Sequence, residues 1–566
     1  MRLSLSLLLV PAACAAIDPT LYVYSGNDSF QNQAAAFTCV GLFNRPDSPN
    51  TVYPDGVYST GSTTGEDSIL QDLYGIEKSS NLVTWDEFMN ACFEDVAKGY
   101  ILYDGIGMQT VVPNVLAMAA VLDAVPVDLA NCADDWANID LDKYEMLLDT
   151  TTEWSGFNPH DATEWVWDKY GSNFKGMAKM NPGWDQKSKH QILNPELTGT
   201  PNVGLVDWIV REKLFNFFLQ DGCVPLTKEH RLFEKIVTNN DLPKPIAVWG
   251  YDNSIHAFGG SLYEAETTCS NEHNLGQIAS EGLMNLAFFA RLPPSEVTPP
   301  PNPHEGLVYD PSKVYVTFVV GDGDNISMLY GRNFHEEYIP DRRSRCGGNN
   351  TDTCFPMVWS YNPHAFEVSP ALTNYMFEFA ADTNRDFFMG PPSGDLYAYP
   401  SIMDDESKTN FVANMEEDFG KWGSRASVHW EWFYSWISSV DNYFNLFGSR
   451  GATGFFLTTV PYMFPMPLFF QGDDYKVVGE NKNVVLFKSN EWRGTDDTRN
   501  KESVDNMAAK LNALEGGSIL HLYHTSDGGN TPENFSKLAP KLDNHVVIVN
   551  ADTLIDMVIQ KEKLAQ

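Results

Sequence analysis

The chain has 566 residues, 43% of them hydrophobic and 13% aromatic, and 75 Asp plus Glu against 38 Lys plus Arg give a formal net charge of −37. A chain of this length divides, since single cores run to about 100–250 residues, and its apolar content excludes disorder as the reason for the acidity. The charge repels phosphate backbones and anionic membranes, which argues against nucleic acid as a partner, whereas a neutral solute is indifferent to it.

Residues 1–16, MRLSLSLLLVPAACAA, join a basic Arg2, an apolar stretch from Leu3 to Val10 and the small triplet Ala13-Cys14-Ala15. This is the pattern of a cleaved secretory signal peptide, and the mature protein is expected outside the cell. Cys14 offers a lipoprotein alternative, but Pro11 stands where such a site wants an aliphatic residue. No later stretch has the roughly 18 consecutive apolar residues of a membrane span.

Removing Cys14 from the eight cysteines leaves seven (8 − 1 = 7), so at least one is a free thiol or pairs between chains. Cys346 and Cys354 flank the polar loop CGGNNTDTC, short enough to close as a disulfide in oxidising surroundings; the other pairings stay open. With no CxxC pair, a cysteine zinc site has no support. Sequons at Asn27, Asn349 and Asn534 are expected glycosylation sites in a eukaryotic host, while the one at Asn325 falls in a crowded turn.

The upstream part reads as small α/β domains over 17–95, 96–160 and 161–292. Gly99 to Asp104 is a short strand, Thr110 to Ala124 an apolar helix, and Val125-Pro-Val a second strand, a βαβ-like fragment. Val206 to Gln220 has helical spacing, Ile246 to Asp252 reads as a buried strand, and Gly276 to Arg291 as an apolar helix. Prolines crowd Leu292 to Glu305, so 293–308 is expected to be a stiff linker.

From 309 to 566 strand and helix patterns alternate. Strands are expected at Val314–Val320, Phe355–Tyr361, Asp386–Met389, Ser427–Phe433, Thr453–Thr459, Asn483–Lys488, Ser518–Tyr523 and His545–Asn550. The alternation predicts an α/β fold with a C-terminal (β/α) barrel, TIM-like or distorted, whose site lies at the C-terminal ends of the strands.

Three segments at those ends carry chemistry. Gly321-Asp322-Gly323-Asp324-Asn325 follows the first barrel strand and points two carboxylates and an amide into a small volume. Such a turn serves acid–base chemistry or sugar hydroxyls, and Asp322 with Asp324 is the one place where a cation is expected; otherwise no cofactor is. Its bland alternative is an Asx-rich cap.

Gly390 to Pro400, GPPSGDLYAYP, brings Ser393, Asp395, Tyr397 and Tyr399, the rings offering flat apolar faces with polar tips that suit sugar rings. For one tyrosine of the pair, plain packing is as good a reading. In Val428-His-Trp-Glu-Trp-Phe433, alternation sets His429, Glu431 and Phe433 opposite Trp430 and Trp432, so Glu431 is expected in an aromatic, desolvated setting that raises its pKa. Glu491, beside Trp492 in KSNEWRG, is its candidate partner. His521 and His524 in HLYHTSDGG and Glu264, Glu266 and Cys269 in EAETTC are weaker candidates for the border of the site. No phosphate-binding GxxxxGK[ST] loop occurs.

Gly394, Tyr397, Tyr399 and Pro400 match the motif of the GxGYxYP glycoside hydrolase family, with Leu396 where its second glycine is expected. GDGDN, VWSYNP with the following SPAL helix, LYEAETTCSNEHNLGQIASEGLMNLAFF and GYILYDGIG are similar to the family's blocks, so the resemblance covers nearly the whole mature chain. It implies small N-terminal domains before a C-terminal barrel and hydrolysis of a poly- or oligosaccharide by paired carboxylates. Asp322, Asp324, Glu431 and Glu491 are then the catalytic candidates, and Asn325, Ser393, Asp395, Tyr397, Tyr399, Trp430, Trp432 and Trp492 the substrate-binding ones. Two alternatives stand beside it: a non-catalytic carbohydrate-binding surface protein, and a metal-dependent polysaccharide deacetylase. The last wants an HxxxH pair that the barrel lacks, His521 and His524 being one residue too close together.

Overall fold

The computed structural model describes residues 21–24, 30–48, 51–54, 82–105, 107, 111–179, 204–219, 221–250, 262–280, 283, 285–292, 297–321, 323–329, 337–347, 354–432, 435, 440–447, 451–458, 469–492, 502–524 and 531–565. The signal-peptide reading and the sequons at Asn27 and Asn349 lie outside them. Among the described residues no helix is long and apolar enough to cross a membrane.

Three small parallel sheets make up the upstream part. The first has strands β1 (Leu21–Tyr24), β2 (Thr51–Pro54) and β3 (Leu82–Val83) in the order β2-β1-β3. The second has β4 (Gly99–Leu102), β5 (Ala124–Val127) and β6 (Met146–Asp149) in the order β5-β4-β6. The third has β7 (Gly176–Lys179), β8 (Leu214–Phe217), β9 (Ile246–Trp249) and β10 (Leu275–Ile278) in the order β10-β9-β7-β8.

Helices α1 (Phe30–Phe43), α2 (Val112–Leu122) and α3 (Val206–Glu212) pack these units on one another, with Phe43, Val115 and Val210 in a single hydrophobic core. Arg45 pairs with Asp123 and donates to the carbonyls of Ala120 and Val210, both at 2.9 Å, tying α1 to α2 and α3. The boundary expected at 160/161 falls inside the helix Pro159–Tyr170.

Two helices expected upstream are corrected. Lys213 takes a left-handed conformation (φ 56°) that ends α3, and the apolar run LFNF continues as β8; the stretch read as one helix is a helix and a strand. Gly276 to Ile278 of the stretch expected as a helix at 276–291 instead belong to the fully buried strand β10, paired with β9. Short apolar runs carry no periodicity that separates a buried strand from a buried helix. Helix α4 (Lys228–Thr238) lies between β8 and β9 in sequence, and α5 (Leu262–Glu272) between β9 and β10.

Downstream, the strands are β11 (Val314–Val320), β12 (Met357–Ser360), β13 (Asp386–Met389), β14 (Ala426–His429), β15 (Thr453–Leu457), β16 (Tyr475–Val478), β17 (Val484–Phe487), β18 (Ile519–His524) and β19 (Val546–Ile548). All eight expected strands appear, but in two sheets. One runs β13-β12-β11-β18 with β19 on the first half of β11, the other β14-β15-β17-β16. β16, missed in the sequence, is antiparallel to β17.

Single parallel bridges, Gly390–Ser427 and Glu491–Tyr523, link the two sheets. One core collects inward residues of both, among them Val319, Val358, Val428 and Val485, with Leu554 and Ile555 of the terminal helix. Among the described residues the sheets do not form one closed barrel, so the expected TIM-like barrel narrows to a mixed α/β fold with several parallel sheets.

The helix α6 (Asp405–Trp422) shows how local chemistry sets an element. Asp404 caps its start by accepting from the Ser407 N–H at 2.8 Å, Asp405 and Glu406 occupy the first turn, and Gly423 (φ 67°) ends it. The proline-rich linker is docked rather than free. Pro299 abuts Gly423, and the backbone of Leu307 and Tyr309 bonds to Gln560 of the terminal helix α7 (Ala551–Ala565).

Candidate active site

Because β11 to β15, β17 and β18 run parallel, with the two sheets linked in parallel by their bridges, the segments that follow these strands share one rim. Four of the expected acids stand there: Asp324 after β11, Asp395 after β13, Glu431 after β14 and Glu491 after β17. Asp322 lies outside the described residues, and with it the cation reading of that pair.

The acidic turn is held tightly against its neighbours. A Cβ on Gly321 would sit 1.9 Å from the Tyr523 hydroxyl, and one on Gly323 1.8 Å from the Ser360 carbonyl oxygen, so both positions need glycine. The Gly323 N–H donates to Ser360 Oγ at 2.9 Å. Asn362 Nδ2 donates to the Asp324 carbonyl at 2.5 Å, and its Oδ1 accepts from the His364 N–H at 2.9 Å. His364 Nε2 in turn meets the Asp395 carbonyl at 3.0 Å and its carboxylate at 3.5 Å. The segment after β12 thus bridges the acidic turn to the tyrosine loop.

The upstream region holds that loop from the other side. Gln277 of β10 and Tyr397 exchange backbone hydrogen bonds at 2.8 and 3.1 Å, the Tyr399 N–H donates to Asn271 Oδ1 at 2.7 Å, and Asn274 and Asp404 pair at 2.8 Å in both directions. Gly276 makes room for Leu396, the residue that departs from the family motif. The EAETTC helix reaches this region through Asn271, and the turn after it does so through Asn274; the side chains of Glu264 and Glu266 are outside the described residues.

The expected substrate contacts divide by exposure. Tyr397, Trp430 and Trp432 are half-buried, with Tyr397 5.5 Å from Trp430, and Asn325 is half-buried beside Asp324. Tyr399 is buried 5.8 Å from Trp432 and packs. Trp492 is buried against His524 and Phe535, its indole N–H on the Glu502 carbonyl, which makes it a core residue. Ser393 is buried too, its hydroxyl accepting from the Trp430 N–H at 2.8 Å and lying 3.2 Å from the Trp430 carbonyl.

Glu431 is fully buried, and its surroundings are polar rather than the aromatic pocket expected. Its carboxylate accepts from Ser401 Oγ at 2.5 Å and Ser435 Oγ at 2.6 Å, with His429 Nε2 at 3.1 Å and the Ser401 N–H at 3.4 Å. Ser401 directly follows Pro400, so Glu431 clamps the end of the tyrosine loop. His429 stacks on Tyr443, whose phenol is held well above its ordinary range by burial and by the charges of Glu431 and Asp395. Glu491 remains half-buried at the rim.

Sequence reasoning missed Asp418 on α6. Burial first, then the charge of Asp395, pushes its carboxyl up to about 7 against the pull of Lys421, 2.9 Å away. Its signal was an acid set among Phe411, Met415 and Trp422 on the buried face of the helix. His521 is pressed against Phe456 and Phe487, and burial pulls it down to about 3, leaving it neutral.

Residues 312–432 match the model of the GxGYxYP putative glycoside hydrolase C-terminal domain. The GxGYxYP segment runs from the start of β11 to Trp432 and holds Asp324, Asp395, the tyrosine loop and Glu431, but not Glu491. In fold the chain is similar to the crystal structure of a putative hydrolase from Bacteroides thetaiotaomicron, with a TM-score of 0.69 over 96% of this chain and 94% of that one, at 17% identity. No curated protein matches the chain by sequence.

The sequence reading also paired Cys346 with Cys354, and that disulfide is present, together with Cys39–Cys92 and Cys223–Cys269. Cys132 is buried and takes part in none of these disulfides. Asn534 is only 8% exposed and its amide nitrogen lies 3.4 Å from His524 Nε2, so a glycan there would have to displace this packing. A cleft of about 1010 Å3 lined by Tyr309, Asp474, Tyr475 and Glu562 contains none of the candidate acids.

Proposed function

We propose that this protein hydrolyses glycosidic bonds of a neutral poly- or oligosaccharide outside the cell. The observation that carries this reading is the run of hydrogen bonds from Asp324 through Asn362 and His364 to Asp395, which holds an acidic turn and an aromatic loop on the same rim. The rim stands where the C-terminal face of a (β/α) barrel would be. Glycoside hydrolysis needs one carboxyl group to protonate the leaving oxygen and another to attack or to activate water. Asp324 and Glu491, both half-buried, are the pair we assign to these steps. Tyr397, Trp430 and Trp432 offer ring faces to the sugar. Glu431 is reassigned from general acid to positioning residue, because its carboxylate is enclosed by hydrogen-bond partners. The family description and the hydrolase named as the structural neighbour support the reaction class; three disulfides support an oxidising location.

The test is release of reducing ends from a panel of plant, marine and microbial polysaccharides. Asp324→Asn should abolish release while leaving the unfolding transition unchanged, and full turnover by this variant would remove Asp324 from the chemistry. Binding to a glycan array without product over long incubation would instead favour the non-catalytic reading.

A further inference from the structure

Away from the acidic rim, two histidines and a glutamate converge on the third upstream sheet's helices. His230 and Glu234 are one turn apart on α4 and project from the same face, while His273 directly follows the end of α5. One ligand atom of each lies within 4.8 Å of the others. Glu234 Oε1 is 3.6 Å from His230 Nε2, and the two imidazoles stand edge to face at 5.8 Å.

The outer contacts of both rings fix which nitrogen is available. His230 Nδ1 lies 2.9 Å from the Gly222 carbonyl, and His273 Nδ1 lies 2.9 Å from the Cys269 carbonyl. A carbonyl only accepts, so each Nδ1 carries the proton, and in the neutral ring Nε2 is left with a bare lone pair. An imidazole whose far N–H is tied to a backbone carbonyl is the arrangement that orients histidine on a metal. The two carbonyls are themselves clamped, since Gly222 adjoins Cys223 and the Cys223–Cys269 disulfide joins the two segments.

From these contacts we propose that His230 Nε2, Glu234 Oε1 and His273 Nε2 bind a divalent transition metal of the zinc class, with water in the remaining position. Ligand atoms on a tetrahedral zinc at about 2.0–2.1 Å stand about 3.4 Å apart. His230 and Glu234 already approach that spacing, and the remaining closure, up to about 1.5 Å, is within side-chain rotation. Glu234 is half-exposed, so the ion has a path from solvent. Once bound, it would join α4 to the segment 271–277, whose Asn271, Asn274 and Gln277 hold the tyrosine loop and its flank. The proposal stands independently of the reaction assigned above.

The test uses tag-free full-length protein stripped with a chelator, dialysed, and titrated with zinc against a chromophoric competitor. The expected result is one equivalent bound, a raised unfolding temperature with zinc, and affinity lower by at least about tenfold in Glu234→Gln and His273→Ala. Glu234→Gln alters a half-exposed side chain, and its unfolding without zinc should match the parent, which guards against a folding defect. Absence of stoichiometric uptake, or equal affinity in parent and Glu234→Gln, would overturn the site and leave His230 and Glu234 as neighbours on one helix face.

Discussion

Replacing Glu431 by alanine tests whether this residue is a clamp or a reacting acid. In the folded chain its carboxylate serves two serine hydroxyls and a histidine, all of them buried. A hydrogen bond to a charged group contributes about 1.5–3 kcal/mol, and removing one member of a buried charged cluster typically costs about 3–5 kcal/mol because the partners are orphaned. Three such contacts do not add in full, so about 3–5 kcal/mol is the expected loss for Glu431→Ala. Urea unfolding measures it, and hydrogen exchange locates it: amides from Leu396 to Met403 should lose protection first, since Ser401 anchors that stretch. Glu431→Gln keeps the shape and should lose only about 1–2 kcal/mol while retaining measurable turnover. A stable Glu431→Ala, within about 0.5 kcal/mol of the parent, would refute the clamp. So would an inactive but fully stable Glu431→Gln, which would return the residue to the chemistry.

Two further outcomes concern the same rim. Gly323→Ala puts a methyl group 1.8 Å from the Ser360 carbonyl oxygen, a backbone atom that does not rotate away. It should cost at least about 1–3 kcal/mol and displace Asp324, lowering turnover together with melting temperature; an unchanged melting temperature would contradict the close approach. Asp418→Asn should change how stability varies with pH. The folded carboxyl titrates near 7 rather than 3.8, so between these values the native state holds a proton that the unfolded chain has lost. The contribution of this group to stability therefore falls as pH rises from about 4 to about 7, by at most about 4 kcal/mol. The variant loses that slope, so its stability relative to the parent should increase toward pH 7, and parallel stability–pH curves would count against it.

Much of the downstream fold was legible because its signals are local. Asp386–Met389 has the limits its pattern gave, and Val314–Val320 is an apolar β-branched run between turns. The partition into two sheets was not legible, since strand order is set by contacts between residues far apart in sequence. β16 was hidden because YKVV is short and each of its residues only half-buried. At the site, residue type and position at strand ends located Asp324, Asp395 and Tyr397. What they could not reveal was occupancy: nothing in HWEW says that Ser401, 30 residues earlier, and Ser435, 4 residues on, fill the space around Glu431. Nor does SYNPH disclose that Asn362 and His364 tie two loops together.

The tyrosine loop is fixed by elements that precede it by more than a hundred residues, and this has a consequence for how the site is built. Its backbone at Tyr397 bonds to β10, its Tyr399 N–H bonds to Asn271, and its end is clamped by Glu431 through Ser401. Two of these three anchors, on β10 and on helix α5, belong to the upstream region, outside the matched segment at 312–432. The rings of Tyr397 and Trp430 therefore take their positions from the packing of the upstream region against the downstream one. A loop held on both sides presents its aromatic faces already ordered, which under the proposed function lowers the entropy cost of binding a sugar. Under the proposed function, β10 and α5 become part of the binding surface, and the downstream sheets supply the acids that this surface aligns.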